Sequence, residues 1–150
     1  MSSLWENLTI IITSDVLEYR RKIRELISKD DHVLEIGCAS GKTTKILAEI
    51  CAKVYAIDKS LPEVNRAKNI LSKYENAFVE CLDAFDIKSI LSRVRENLGG
   101  KVDVILIDIG GLEDPGKVIS LLWRYLHIFK PRLIIVKNAL LKRIAKAIKI

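Results

Sequence analysis

Residues Val33 to Thr44 read V-L-E-I-G-C-A-S-G-K-T-T: a short apolar run holding one acid, two glycines four residues apart, then a helix pattern. A buried strand that turns through glycine into a helix lets backbone N–H groups and the helix N-terminus approach a ligand closely. The spacing narrows the ligand. A dinucleotide fingerprint needs G-x-G-x-x-G, but Ala39 holds the second glycine position and Lys42 the third. A phosphate-cradling P-loop needs four residues between its first glycine and Gly-Lys-Thr, whereas only Cys38, Ala39 and Ser40 separate Gly37 from Gly41. The strand also carries Glu35, whose carboxylate repels a triphosphate unless a metal stands between them.

From Val33 onward the chain alternates between short apolar runs and helical periodicity. The runs Val33 to Ile36, Val54 to Ile57, Ala77 to Cys81, Val102 to Ile107 and Leu133 to Val136 read as strands. Between them, Lys42 to Cys51, Pro62 to Leu71, Ile87 to Asn97 and Pro115 to Phe129 read as helices, and a basic helix from Ala139 to Ile150 closes the sequence. Asp114 and Pro115 supply an N-cap and a first-turn proline, and Gly99-Gly100 ends another helix. Ser14-Asp15 caps a leading helix to about Ser28, while Leu4 to Thr13 fits neither period. Repeated βα units with continuous apolar strands specify an α/β fold: a parallel sheet with helices on both faces, three layers in all.

At 150 residues the chain is expected to form one domain: a leading helix region over 1–30, a core over 33–138 and the basic helix over 139–150. No apolar run reaches the roughly 18 residues of a membrane span, and no secretory leader is evident at the N-terminus. Cys38, Cys51 and Cys81 lack CxxC spacing, and His32 and His127 lie far apart, so reduced thiols, a cytoplasmic location and no metal site are expected.

Acids follow three successive strands. Asp58 ends V-Y-A-I-D about 20 residues past the glycine loop, the position from which a carboxylate accepts hydrogen bonds from ribose hydroxyls. Asp83 follows in C-L-D-A-F-D, and Asp108 closes V-I-L-I-D-I-G-G. The run apolar-apolar-acid-apolar-Gly-x-x-x-Gly, with Asp58 and Asp83 in order behind it, resembles class I S-adenosylmethionine (SAM) methyltransferases over Val33 to about Asn138. The resemblance implies a Rossmann-like sheet. Counting from Val33 to Ile36 as the first strand, it and the right-handed crossover rule together give the strand order 3-2-1-4-5, with the ligand crevice at the carboxyl ends around strands 1 and 4. It also implies that SAM, and its product S-adenosylhomocysteine, contact the loop residues Gly37, Cys38, Ala39 and Gly41, with Glu35 holding the amino end. Asp58 and Lys59 would face the ribose, Asp83 and the Ala84 N–H the adenine, and Asp108 the reacting end; Phe85 is a candidate for the adenine pocket. A shortened form of the family, lacking strands six and seven, is expected. Strand 5 is therefore expected to be a bare edge unless the last helix, a second copy or another partner covers it.

On the acceptor side, Asp108 and Lys137 end adjacent strands about 5 Å apart, close enough to bring carboxylate and ammonium into contact. The pair is similar to that of RNA 2′-O-methyltransferases of the fibrillarin and heat-shock ribosomal RNA types, which implies catalytic roles for Asp108 and Lys137 and RNA as acceptor. The second cation of that arrangement falls to Arg20, Lys22 or Arg24. Catechol-type O-methyltransferases carry an acid where Lys137 stands, and an ammonium there repels their magnesium. Residues 130 to 150 hold seven Lys or Arg and no acid, whereas residues 1 to 129 balance 18 basic against 19 acidic, so the surplus of +6 belongs to the tail. On the last helix, Leu141, Ile144, Ala145 and Ile148 form an apolar stripe opposite Lys142, Lys146 and Lys149. That basic side suits RNA phosphates or plain solvent. Two other classes stay open: a non-catalytic SAM-binding subunit docking a partner, and, more distantly, a P-loop-like nucleotide binder.

Overall fold

The computed structural model describes residues 3–150. A short 3-10 turn, Leu4–Asn7, leads into strand β1 (Thr9–Thr13) and helix α1 (Val16–Leu26). Then follow β2 (His32–Ile36), α2 (Lys42–Ile50), β3 (Lys53–Asp58), α3 (Leu61–Ile70), β4 (Ala77–Cys81) and α4 (Ile87–Leu98). The chain finishes through β5 (Val104–Ile107), α5 (Pro115–Phe129), β6 (Leu133–Lys137) and α6 (Ala139–Ala147).

The sheet corrects the expected topology. It has six strands in the order β1-β6-β5-β2-β3-β4, not five in the order 3-2-1-4-5. The five strands read from the sequence keep their relative order, and the difference is β1, the segment that fitted neither period. Its five residues, T-I-I-I-T, are too few to show a repeat, and what makes them a strand lies far along the chain. β1 pairs in parallel with β6, Thr9 opposite Leu133 and Thr13 opposite Lys137, and Thr13 Oγ1 donates to Val136 O at 2.8 Å. The fifth predicted strand is therefore no bare edge, and no second subunit is needed to cover it. All five strand pairings are parallel.

Alternation along the strands feeds two cores. Leu34 and Ile36 of β2 face a layer built by Ile90 and Val94 of α4, Leu121 and Tyr125 of α5 and Leu141 of α6. Val33 faces the opposite layer, with Tyr19 and Ile23 of α1 and Leu47 of α2. Every residue of β5 is buried, as a central parallel strand requires. From β2 the chain winds outward through β3 and β4, then crosses to β5 on the other side. That reversal leaves a crevice at the carboxyl ends of β2 and β5.

The last helix also departs from expectation. α6 stops at Ala147, and of its apolar stripe only Leu141 is well buried, while Ile144 and Ile148 are exposed. Lys142 turns inward: its Nζ donates to Ile12 O at 2.7 Å and lies 3.4 Å from Glu18 Oε1, so it stitches α6 to β1 and α1 and does not face solvent with Lys146.

Candidate functional site

The glycine loop crosses the sheet at the switch point. Gly37 has φ +90°, and a Cβ there would fall 1.8 Å from the Asp108 carbonyl oxygen, so the end of β5 leaves room for a hydrogen only. The Gly37 and Cys38 N–H groups both donate to Ile57 O, at 2.9 and 3.0 Å, tying the loop to β3. Gly41, φ +89°, lets α2 start against Ala67 of α3, whose Cβ stands 2.9 Å from where a side chain would begin. Between them Ala39 adopts φ +45°, a left-handed conformation unusual outside glycine. Its N–H donates to Asp58 Oδ2 at 2.9 Å, which secures both the loop and the carboxylate. Asp58 Oδ1 accepts from the Ser60 N–H at 2.9 Å. The acid at the end of β3 is thus fixed on both oxygens before any ligand arrives.

A cavity of about 440 Å³ opens above this crossing, within the size range of small-molecule sites. Of the ten residues proposed from the sequence to hold a ligand, Gly37, Ala39, Asp58, Lys59, Asp83, Ala84 and Asp108 line it. Glu35, Cys38 and Gly41 do not. Glu35 is buried behind the loop, where Thr44 Oγ1 donates to its Oε1. Burial pushes its carboxyl up to about 8; the Thr44 bond opposes that, and the charges of Asp108 and Asp58 add to it. The Tyr19 hydroxyl lies in the same interior with no hydrogen-bond partner, and burial first, then Glu35 and Asp108, drive its ionisation well above the ordinary range. Cys38 is buried as well, and its thiol is raised by burial, so no thiolate is available there.

The adenine-side expectation falls on a short loop after β4. The Asp83 carboxylate accepts from the Phe85 N–H at 2.8 Å, and Leu82, Ala84 and Phe85 join it on the wall. On the opposite side Lys137 Nζ stands 3.3 Å from Asp108 Oδ2, both side chains about one-fifth exposed. Lys137 itself does not line the cavity. Asn138, the next residue, is fully buried: its Oδ1 caps α6 through the Leu141 N–H at 2.8 Å, and its Nδ2 donates to Gly110 O and Glu113 O at 3.3 and 3.0 Å. Arg20 reaches the first turn of α2, its Nε donating to Thr43 Oγ1 at 3.1 Å. Lys22 pairs with Glu25 on the outer face of α1.

Sequence reasoning missed Ile36, Ile57, Leu82, Ile109, Gly110, Glu113 and Lys117 on the wall. Ile36 and Ile57 carry a usable signal, since each is the strand residue immediately before a selected loop or acid. Glu113 and Lys117, 3.7 Å apart, carry none, because the path of the loop after β5 depends on Asn138 some 25 residues later. Four carboxylates and two ammonium groups line the cavity. That wall accepts hydroxyl and amino donors and a cationic centre, and repels a triphosphate.

The profile of a family described as "Methyltransferase domain" matches residues 27–148. A curated relative from Methanocaldococcus jannaschii, "Probable cobalt-precorrin-6B C(15)-methyltransferase (decarboxylating)", is 32% identical over 98 residues, 64% of this chain and 48% of the relative. The chain therefore spans about half the length of the curated relative it matches. Among solved structures, a precorrin-8W decarboxylase from Methanobacterium thermoautotrophicum superposes with a TM-score of 0.65 at 22% identity, covering 95% of this chain and 75% of its own. An rRNA methylase from Streptococcus thermophilus gives a TM-score of 0.62 at 16% identity, covering 89% and 78%.

Proposed function

The chain belongs to the class I SAM-dependent methyltransferase family, and from that premise we propose that it binds SAM in the cavity above the β2–β5 crossing and methylates an acceptor entering beside Asp108. One observation carries the proposal: Asp58 and Asp83, from the ends of neighbouring strands, line a single cavity with the loop residue Ala39. When bound, SAM supplies a methyl group on a cationic sulfonium. Asp58, already held by Ala39 and Ser60, keeps lone pairs free for ribose hydroxyls. Asp83 spends one oxygen on Phe85 and offers the other to an amino donor, with the Ala84 N–H beside it. Gly37 and Ala39 bring backbone close to the ligand, and Asp108 lines the same cavity. Glu35 lies behind the loop and keeps its proton up to about 8, so at neutral pH it offers the amino end no charge. The triphosphate alternative has no support in a wall richer in carboxylates than in cations.

For the acceptor, the Lys137–Asp108 contact supports a ribose hydroxyl of RNA. In this reading the ammonium, held by the Asp108 carboxylate, orients the hydroxyl and eases loss of its proton. A second reading follows the printed name of the curated relative: a precorrin acceptor. Calorimetric titration with S-adenosylhomocysteine tests the cofactor assignment; binding that Asp58→Ala abolishes is expected, and no binding at millimolar ligand overturns it. Transfer of labelled methyl from SAM to total RNA or to a precorrin mixture separates the acceptors. Under the RNA reading transfer falls steeply with salt and is lost in Lys137→Ala.

A further inference from the structure

The wall that faces the adenine in the proposed reading is gripped from outside the cavity by two consecutive residues of α5. Tyr125 is fully buried in the core, yet its hydroxyl donates to the carbonyl oxygen of Ala84, 41 residues away in the chain. Arg124 lies on the solvent side, its Cζ 5.8 Å from the centroid of the Phe85 ring. The core side thus holds residue 84 and the surface side holds residue 85. Burial, reinforced by Asp83 and Asp86, pushes the Tyr125 phenol above its ordinary range, so the hydroxyl keeps its proton and remains a donor. Neither side chain lines the cavity.

The consequence is geometric. Fixing the Ala84 carbonyl fixes the Ala84–Phe85 peptide plane. The Phe85 N–H of that plane is the group that binds Asp83 Oδ1 at 2.8 Å, which orients the carboxylate. The Asp86 N–H donates to Asp83 O at 3.0 Å and closes the turn. One hydroxyl in the core therefore sets the direction of the single carboxylate on this wall. We infer that Tyr125 is a positioning residue for purine recognition: it orients Asp83 through the Ala84–Phe85 peptide, and so sets the preference for a 6-amino purine over a 6-oxo purine. The inference rests on the SAM reading above.

The test measures a ratio. S-adenosylhomocysteine and S-inosylhomocysteine, which differ in the 6-amino against 6-oxo group and in the N1 proton that the oxo form carries, are titrated into the wild type and into Tyr125→Phe, which keeps the ring and removes one hydroxyl. The wild type prefers the adenosyl compound. Tyr125→Phe is expected to weaken S-adenosylhomocysteine by about 3- to 10-fold, the worth of one hydrogen bond, and S-inosylhomocysteine by less, so the preference shrinks. An unchanged ratio overturns the inference, whether both affinities fall together or neither moves, because a merely structural role lowers both alike. Failure of the wild type to bind S-adenosylhomocysteine overturns the SAM reading instead. If Tyr125→Phe does not fold, the exposed Arg124→Ala variant reads the same ratio through Phe85; a preference smaller than that of the wild type supports the clamp and an unchanged one counts against it.

Discussion

The two halves of the cavity are built in different ways. On the β3–β4 side each wall segment follows its own strand directly, and most of its fixing contacts are local: Asp58 to Ser60, Asp83 to Phe85, Asp86 to Ser89. On the β5–β6 side the wall is tied by residues remote in sequence. Asn138 holds Gly110 and Glu113, Thr13 holds Val136 across 123 residues, and Lys142 holds Ile12 across 130. The half that receives the cofactor in the proposed reading is thus encoded by short motifs. The half that meets the acceptor is assembled from both ends of the chain, and the two meet where Gly37 packs on Asp108 and where Tyr125 holds Ala84.

The contact between the halves is the place to break that division. Gly37→Ala puts a Cβ 1.8 Å from the Asp108 carbonyl oxygen at a left-handed φ. It is expected to cost about 3 kcal/mol or more in urea unfolding, with loss of ligand binding; a cost under about 1 kcal/mol would show that the crossing yields.

The next largest effect is pH-dependent. Unfolded, Glu35 ionises near 4.5; folded, it keeps its proton up to about 8. Between these values the unfolded chain binds fewer protons, so this group makes stability fall as pH rises toward 8 and level off above it. Its slope is on the order of 1 kcal/mol per pH unit. The groups that bear on it are Thr44, Asp108, Asp58 and Arg20. Glu35→Gln should remove that slope, and identical pH profiles for the two proteins would contradict the burial argument.

Asn138 separates capping from tethering. Asn138→Ala loses both and is expected to cost about 2 kcal/mol, whereas Asn138→Ser keeps a cap oxygen and loses the two amide donations, with a cost nearer 1 kcal/mol. In both variants hydrogen exchange over residues 110–113 should accelerate while adenosine affinity stays within about twofold. A large drop in adenosine affinity would mean that the halves are coupled. The smallest effect belongs to Lys142→Met, which removes the link from α6 to Ile12 and Glu18 and should cost no more than about 1 kcal/mol.

The same division explains what could be read from the sequence. The strands of the core, the capped helices and the acids at strand ends follow from periodicity and from turn chemistry close by, and they appear where expected. β1 did not, because a five-residue run of isoleucine and threonine becomes a strand only when β6 arrives beside it. The inward turn of Lys142 follows from β1 and was hidden with it; the helical pattern alone placed that lysine among its solvated neighbours. Glu35 was legible as an acid in a glycine-loop motif, but its place behind the loop depends on Thr44 and on how α1 packs above it. The loop after β5 was illegible, since Asn138 shapes it from beyond the next helix and strand.

The most direct test of the account is a structure of the protein with S-adenosylhomocysteine bound. The account predicts the ribose against Asp58, the purine amino group against Asp83, and the sulfur directed toward Asp108. A ligand lying outside this cavity, or reversed within it so that the purine rests against Asp108, would contradict the assignment.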